Sequence, residues 1–114
     1  MDLQAKIPNI RLIENVIITK LVNDLLSLNY SIKVLDEEET VLKFSKEPEK
    51  IFKEIGHTDC TCFHVRKEGI EEPYFISMYH GNNKDIISDY SYSYKSEFTD
   101  FMNNFNEWID TLNV

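Results

Sequence analysis

The chain contains few of the residues that cross-link small proteins or interrupt their secondary structure. It has two cysteines, three glycines and three prolines among 114 residues. Cys60 and Cys62 are too few for a disulfide framework, and alternate positions on a strand are poorly placed to bridge each other. No apolar run approaches the roughly 18 residues of a membrane helix. The N-terminus lacks the apolar core of a signal peptide, so the sequence predicts a cytoplasmic protein.

Basic residues are also scarce relative to acidic ones. Twelve Lys and Arg stand against 20 Asp and Glu, which gives a net charge of −8. Phosphate-driven binding needs an excess of basic groups, so nucleic acid and anionic membranes are disfavoured as partners. A basic protein surface suits this charge better. With 42% hydrophobic residues, the chain can bury one core, and we predict a single domain over residues 1–114.

Three stretches have the apolar spacing of helices. The first runs from about Pro8 to Leu28 and the last from about Ser96 to Leu112, each with apolar residues at steps of three and four. A short helix from Pro48 to Ile55 lies between them. Asn29 is predicted to end the first helix in a left-handed conformation, and Gly56 to end the second. Ser96 is the predicted N-cap of the last helix.

Five stretches have strand character. They are Tyr30–Leu35, Thr40–Ser45, Thr58–Lys67, Tyr74–His80 and Asp85–Tyr94. The resulting order, α-β-β-α-β-β-β-α with hairpin-length connections, predicts an α+β fold with a largely antiparallel five-stranded sheet and helices packed mainly on one face. The acidic run Asp36–Glu39 is interpreted as a solvated turn, with a recognition patch as the alternative.

One predicted strand carries a group of soft donors. His57, Cys60, Cys62 and His64 fall within eight residues, and the last three project from one face of the strand. Thiolates and an imidazole are ligands that zinc accepts. A straight row of ligands diverges, however, and the alternative is that the cysteines pack as small apolar side chains.

A second group surrounds the predicted Gly-Asn-Asn-Lys turn. His80, Asp85 and Asp89 flank it, so an Asp could orient the imidazole for acid–base work, or the two Asp could share a cation. Ordinary turn construction explains the same residues, because Asn and Asp bond their own backbone. The chain has no nucleophile motif and no phosphate-binding glycine loop. We therefore expect a protein that is not an enzyme.

The most regular alternation in the chain is a row of tyrosines. Period two places Tyr90, Tyr92 and Tyr94 on one face of the predicted fifth strand. Tyrosine offers a large contact area with few rotors to freeze, which suits a protein-binding surface. The alternative is that the rings pack beneath the last helix. With His80, Asp85 and Asp89 these tyrosines form the predicted partner-binding set.

Two segments resemble a known group of proteins. Tyr30–Lys43 (YSIKVLDEEETVLK) and Tyr79–Tyr90, which ends in Asp-Ile-Ile-Ser-Asp-Tyr, resemble a hairpin and a second segment of small uncharacterised proteins from bacteria, phages and prophages. This chain has His80-Gly81 where the group has Gly-Asn. The resemblance implies an accessory protein of a phage or mobile element. It implies no activity, so no functional residue is carried over.

These observations together predict a non-catalytic cytoplasmic protein that binds another protein. In a phage-encoded case it would act in the host cytoplasm, as a modulator or inhibitor of a host or defence factor. One alternative is a metal-binding protein or small metalloenzyme that uses the face of Cys60, Cys62 and His64, with zinc as its cofactor. Another is a structural protein that self-associates, as a homodimer, through the sheet face or an edge strand.

Overall fold

The computed structural model describes residues 10–69 and 72–112. The elements are α1 (Leu12–Ser27), β1 (Tyr30–Asp36), β2 (Glu39–Ser45), α2 (Pro48–Lys53), β3 (Cys60–Lys67), β4 (Tyr74–Tyr79), a 3-10 turn (Asn83–Asp85), β5 (Ile87–Tyr90) and α3 (Glu97–Asp110). The predicted order α-β-β-α-β-β-β-α is confirmed. Pro8, the predicted start of the first helix, lies outside the described residues; within them the helix begins later than predicted, at Leu12, after an extended Arg11.

The strands form one five-stranded antiparallel sheet in the order β2-β1-β3-β4-β5. β1 lies between β2 and β3, so α2 is part of the connection that brings β3 back beside β1. Val34, Phe63 and Ile76 lie opposite one another on β1, β3 and β4. All three are fully buried, so this row marks the centre of the core.

The three helices pack on one face of the sheet, as predicted. Strand side chains alternate between the two faces, and the buried apolar members of β1, β3 and β4 belong to one hydrophobic cluster with the helices. The cluster includes Ile17, Leu21 and Leu25 of α1, Ile51 and Phe52 of α2, and Phe98, Met102, Phe105 and Ile109 of α3. In α3 the ring of Phe98 stacks on Tyr74 with 4.4 Å between centroids.

The predicted residues lie near the helix ends, but α2 ends at Lys53 instead of Ile55 and α3 at Asp110 instead of Leu112. Asn29 (φ 74°) and Gly56 (φ 84°) both adopt the left-handed conformation after α1 and α2. Ser96 caps α3, because its side chain accepts a hydrogen bond from the Thr99 N–H at 3.0 Å. Among the described residues, no helix has the length and apolar character needed to cross a membrane.

The fifth strand is shorter than predicted. It covers Ile87–Tyr90 instead of Asp85–Tyr94, because Asp85 belongs to the 3-10 turn and the chain bends after Ser91. The Ser96 N–H donates to the Ser93 carbonyl at 3.0 Å, and Lys95 is left-handed with φ 59°. This turn carries the chain from the sheet edge to the start of α3, so the alternation of Tyr and Ser does not continue as a strand.

Candidate functional site

A buried carboxylate holds the turn between β4 and β5. Glu14 of α1 is fully buried. Its oxygens accept hydrogen bonds from the Gly81 N–H at 2.9 and 3.0 Å and from the Asn83 N–H at 2.9 Å. Both oxygens act as acceptors, which is the pattern of an ionised carboxylate. Glu14 therefore fixes the turn segment, residues 80–85, to the first helix.

Two further contacts tie the turn segment to the helices. The Arg11 guanidinium donates to Asn83 Oδ1 at 3.0 Å. The Lys84 ammonium donates to the carbonyl of Leu112 at 2.9 Å, just beyond the end of α3. Lys84 thus supplies a cation where the helix dipole is negative. The Gly-Asn-Asn-Lys segment joins both long helices, which goes beyond the ordinary hairpin turn that the sequence predicts.

His80 lies between Glu14 and a buried threonine. Its side chain is 8% exposed, and Nε2 is 2.7 Å from Thr61 Oγ1. Thr61 Oγ1 also accepts a hydrogen bond from the Gly56 N–H, and the tautomer of the ring decides whether Nε2 or the threonine hydroxyl donates in the bond between them. Nδ1 lies 3.9 Å from Glu14 Oε1 and has no hydrogen-bond partner.

Thr61, His80 and Glu14 are arranged like the three groups of a catalytic triad. In such a triad a hydroxyl is the nucleophile, an imidazole is its general base and an acid orients the imidazole. The threonine cannot serve as a nucleophile here, because Thr61 is fully buried and its hydroxyl is occupied on both sides. Glu14 is equally buried and bound to backbone N–H groups. The cluster of Glu14, His80 and Thr61 therefore serves to hold the turn segment against α1 and β3.

The carboxylates nearest His80 are not the ones that the sequence places beside it. The charges that act on its ring come from Glu14, Asp59 and Asp36. Asp85 and Asp89 are both exposed; Asp85 lies in the 3-10 turn and Asp89 on β5, opposite Ser77. The structure therefore does not gather His80, Asp85 and Asp89 into one site.

The buried imidazole makes the stability of the protein depend on pH. Burial lowers the pKa of His80, although Glu14, Asp59 and Asp36 raise it in part. In the unfolded chain the ring regains a pKa of about 6.5, so the unfolded state binds more protons below that pH. The free energy of unfolding is therefore expected to fall as pH drops from 7.5 to 5.5, by at most about 1.4 kcal/mol per pH unit for one histidine.

Urea unfolding of His80→Gln at pH 7.5, 6.5 and 5.5 tests this dependence. The variant is expected to lose part of the dependence of the free energy of unfolding on pH. The remaining dependence comes from His64, whose pKa is also lowered, by burial and then by Lys33. His57→Gln is the matched control, because His57 is exposed. A slope that is identical in wild type and His80→Gln would contradict the assignment.

The predicted metal donors lie on one strand face but do not form a cage. Cys60, Cys62 and His64 share a face of β3, whereas His57 precedes the strand, 3.7 Å from a Glu54 oxygen. Within residues 10–69 and 72–112, no three His, Cys, Asp or Glu side chains are grouped to hold a metal ion. Burial and the neighbouring Cys60 raise the pKa of Cys62, which disfavours the thiolate that zinc binds. The zinc site stays a prediction that this geometry does not support.

The three predicted tyrosines have different environments. Tyr90 packs against the core, and its hydroxyl contacts Asn103 at 3.3 Å and Asn106 at 3.2 Å on α3. Tyr92 and Tyr94 follow the strand and are 72% and 76% exposed. Tyr90 thus fits the packing alternative, and only the other two rings are free to meet another molecule.

The sheet face away from the helices is the larger uncovered surface. Leu35, Cys62 and Ser77 lie side by side across β1, β3 and β4, with His64 and Phe75 in the next row. We call these five residues the open face. All are partly exposed, and none belongs to the hydrophobic cluster beneath the helices. Within the described ranges, no helix packs on this side of the sheet.

An acidic groove lies at one end of the sheet. It has a volume of about 700 Å³ and is lined by Asp36, Glu37, Glu38, Glu39, Asp59, Cys60 and Tyr79. Five of these seven residues are carboxylates and none is basic. Glu37 adopts φ 56°, a left-handed conformation that is unusual for its residue type. Only Glu37 and Glu38 of the predicted acidic turn form the turn, because Asp36 ends β1 and Glu39 begins β2. The whole run forms one wall of the groove.

The sequence contains only partial signals for the buried Glu14 and for the acidic groove. A Glu among the apolar residues of α1 is a signal for Glu14, although its partners are 67 and 69 residues away. The groove joins Asp59 to hairpin residues that lie 20 to 23 positions earlier in the chain. Known proteins do not identify the chain further: no family model, curated protein or solved structure matches it.

Proposed function

We propose that this protein is a non-catalytic binding protein whose partner is the basic segment of another protein. The partner lies across the open face and extends into the acidic groove. The observation that carries the proposal is a sheet covered by helices on one side only, whose other side ends in five carboxylates. The open face supplies apolar contact, and the groove supplies charge recognition.

The size of the surface supports a combined site. Five strands spaced about 4.8 Å apart, with about six residues of about 3.4 Å each, give a face of about 20 by 20 Å, or about 400 Å². A stable interface takes about 800 Å² from each partner. The open face alone is about half of this size, so we include the groove beside it in the proposed site. Tyr79, which is 49% exposed, belongs to the groove and shares the open face's side of β4.

The distribution of charged residues along the sheet face favours one orientation of the bound partner segment. The groove end is purely acidic. On the same sheet face, Lys33 lies in the middle of β1 opposite His64, and Arg66 lies toward the other end of β3. Arg66 covers the ring of Phe44, with 3.9 Å to its centroid. A partner with Lys or Arg at the groove end and neutral or acidic residues at the other end suits this arrangement.

Capture from a host lysate with two matched arginine variants tests the proposal. Ser77→Arg places a charge in the middle of the open face, and Asn104→Arg places the same charge on the exposed side of α3. The captured protein is expected to be lost with Ser77→Arg, kept with Asn104→Arg, and released by salt. Unfolding in urea confirms that both variants fold. A complex that survives Ser77→Arg would overturn the open face as the binding surface.

Tyr92 and Tyr94 offer a second surface for the same function. Their backbone is fixed, because the Ser91 N–H donates to the Phe75 carbonyl at 3.0 Å and the Ser93 N–H to Thr99 Oγ1 at 2.9 Å. A rigid backbone lowers the entropic cost of presenting two rings. In the same capture experiment, loss of the partner in Tyr92→Ala with Tyr94→Ala, but not in Ser77→Arg, would move the site to these rings.

Origin and self-association remain proposals of lower rank. The phage or mobile-element origin, with a role as modulator of a host or defence factor, is supported only by the resemblance of Tyr30–Lys43 and Tyr79–Tyr90. A homodimer through the open face would bring two acidic surfaces of a chain with net charge −8 near each other, which like charges oppose. Light scattering at several protein concentrations distinguishes monomer from dimer.

A further inference from the structure

His80 connects the acidic groove to the buried cluster around Glu14. Its backbone N–H donates to the carbonyl of Asp59 at 2.8 Å, and Asp59 lines the groove. Its ring contacts Thr61 at 2.7 Å and faces Glu14 at 3.9 Å. His80 therefore follows Tyr79 and is bonded to the backbone of Asp59, and both of these residues line the groove.

The charged groups that act on the ring are all carboxylates. Glu14 faces it from α1, Asp36 from the end of β1, and Asp59 from the segment before β3. Two of the three, Asp36 and Asp59, also line the groove. Burial lowers the pKa of His80 and these carboxylates raise it, so the ring is neutral at pH 7 and takes up a proton in more acidic solution.

We propose that His80 is a proton-linked regulator of the acidic groove and that a bound basic partner is released as the pH falls. The inference rests on the proposed function, because it concerns the partner of that same site. A proton on His80 adds a positive charge beside Asp36 and Asp59, which reduces the attraction of the groove for a cation. By reciprocity, a bound basic partner makes His80 harder to protonate by the same factor.

The hydrogen bonds around the ring allow this charge to appear without a large movement. With a proton on both nitrogens, the ring donates from Nε2 to Thr61 Oγ1, 2.7 Å away, and its Nδ1–H faces Glu14 Oε1 at 3.9 Å. The Glu14 bonds to Gly81 and Asn83 are unaffected by this change. The regulator thus acts through its charge while the turn segment stays in place.

A protein with one histidine isolates the effect. The chain has three histidines, so His57→Gln with His64→Gln leaves His80 as the only imidazole. The probe is octalysine, a flexible basic peptide. Its dissociation constant is expected to rise about fivefold between pH 7.5 and pH 5.5, a typical coupling between two sites. Adding His80→Gln to this background is expected to remove most of that rise.

The outcomes separate this inference from the proposed function. Octalysine binding that is equal at the two pH values, or a rise that persists in His80→Gln, overturns the regulator and leaves the binding site intact. Absence of octalysine binding at every pH overturns the proposed function and this inference together.

A second readout needs no partner and keeps His80 in place. The ring of His80 is titrated by NMR in the one-histidine protein, with Asp59→Asn compared with Asp100→Asn. Asp100 is an exposed residue in the first turn of α3, which makes it a matched control. Asp59→Asn is expected to lower the pKa of His80, whereas Asp100→Asn leaves it as it was. Equal titration curves in the two variants would refute the coupling between His80 and the groove.

Discussion

Replacing Glu14 with alanine is expected to lower the free energy of unfolding by about 3 kcal/mol, because hydrogen bonds to a charged group contribute about 1.5–3 kcal/mol each and part of this is recovered by hydration. The Gly81 and Asn83 N–H groups lose their acceptor, and α1 loses its main tie to the turn segment. The measurement is a shift of the urea midpoint at pH 7.5. Glu14→Gln is expected to cost about 2 kcal/mol, since one amide oxygen still accepts but the amide NH₂ opposes the N–H groups.

Glu49→Ala is the control for a glutamate on a helix. Glu49 is exposed in the first turn of α2, and its loss is expected to change stability little. If Glu14→Ala and Glu49→Ala shifted the urea midpoint equally, the three hydrogen bonds to Glu14 would not be what holds the turn segment.

Reversing two charges in the acidic groove is expected to weaken the basic partner about 30-fold, or about 2 kcal/mol, because like charges then meet across the interface. Glu38→Lys with Glu39→Lys changes two exposed groove residues. Glu49→Lys with Glu107→Lys makes the same change in net charge on the helices. Titration calorimetry with the captured protein measures both dissociation constants.

The dependence of binding on salt distinguishes attraction of the partner by the groove from attraction by the net charge of the whole protein. In wild type the dissociation constant is expected to rise with salt, since the groove attracts its partner through exposed charges. The groove variant is expected to lose most of this dependence, and the helix variant to keep it. If the two double variants bound equally weakly, the net charge of the protein and not the groove would attract the partner.

The fold could be predicted because local signals agree with one another. Apolar spacing marks α1 and α3, and Asn29 and Ser96 mark helix ends. Hairpin-length connections then favour an antiparallel sheet. The order of the strands could not be predicted in this way. The pairing of β1 with β3 depends on how α2 packs, and no local sequence pattern indicates that packing.

The buried cluster could not be derived from the sequence. His80 has Asp85 and Asp89 as its neighbours along the chain, yet Glu14 and Thr61 contact or face it in the fold. Such partners depend on how α1 and β3 meet the turn segment, and this contact joins residues 19 and 66 positions apart. A single glutamate among the apolar residues of α1 was the one sign that a buried polar contact exists.

The tyrosine row shows how a clear pattern can mislead. Alternation of Tyr and Ser from Tyr90 to Tyr94 is typical of a strand, but the chain has to leave the sheet and reach Ser96, where α3 begins. That requirement produces the turn with Lys95 in a left-handed conformation. Tertiary connection therefore overrides local preference, and the rings of Tyr92 and Tyr94 project from a loop.

Cross-saturation NMR of the complex tests the binding surface most directly, because signal loss reports which side chains touch the partner. The partner captured from lysate is irradiated, and side-chain signals of the labelled protein are followed. We expect losses at Leu35, Phe75 and Tyr79, with Leu12 of α1 unchanged although it is 58% exposed. Losses confined to α1 and α3, or to Tyr92 and Tyr94, with the open face unchanged, would contradict the proposed function.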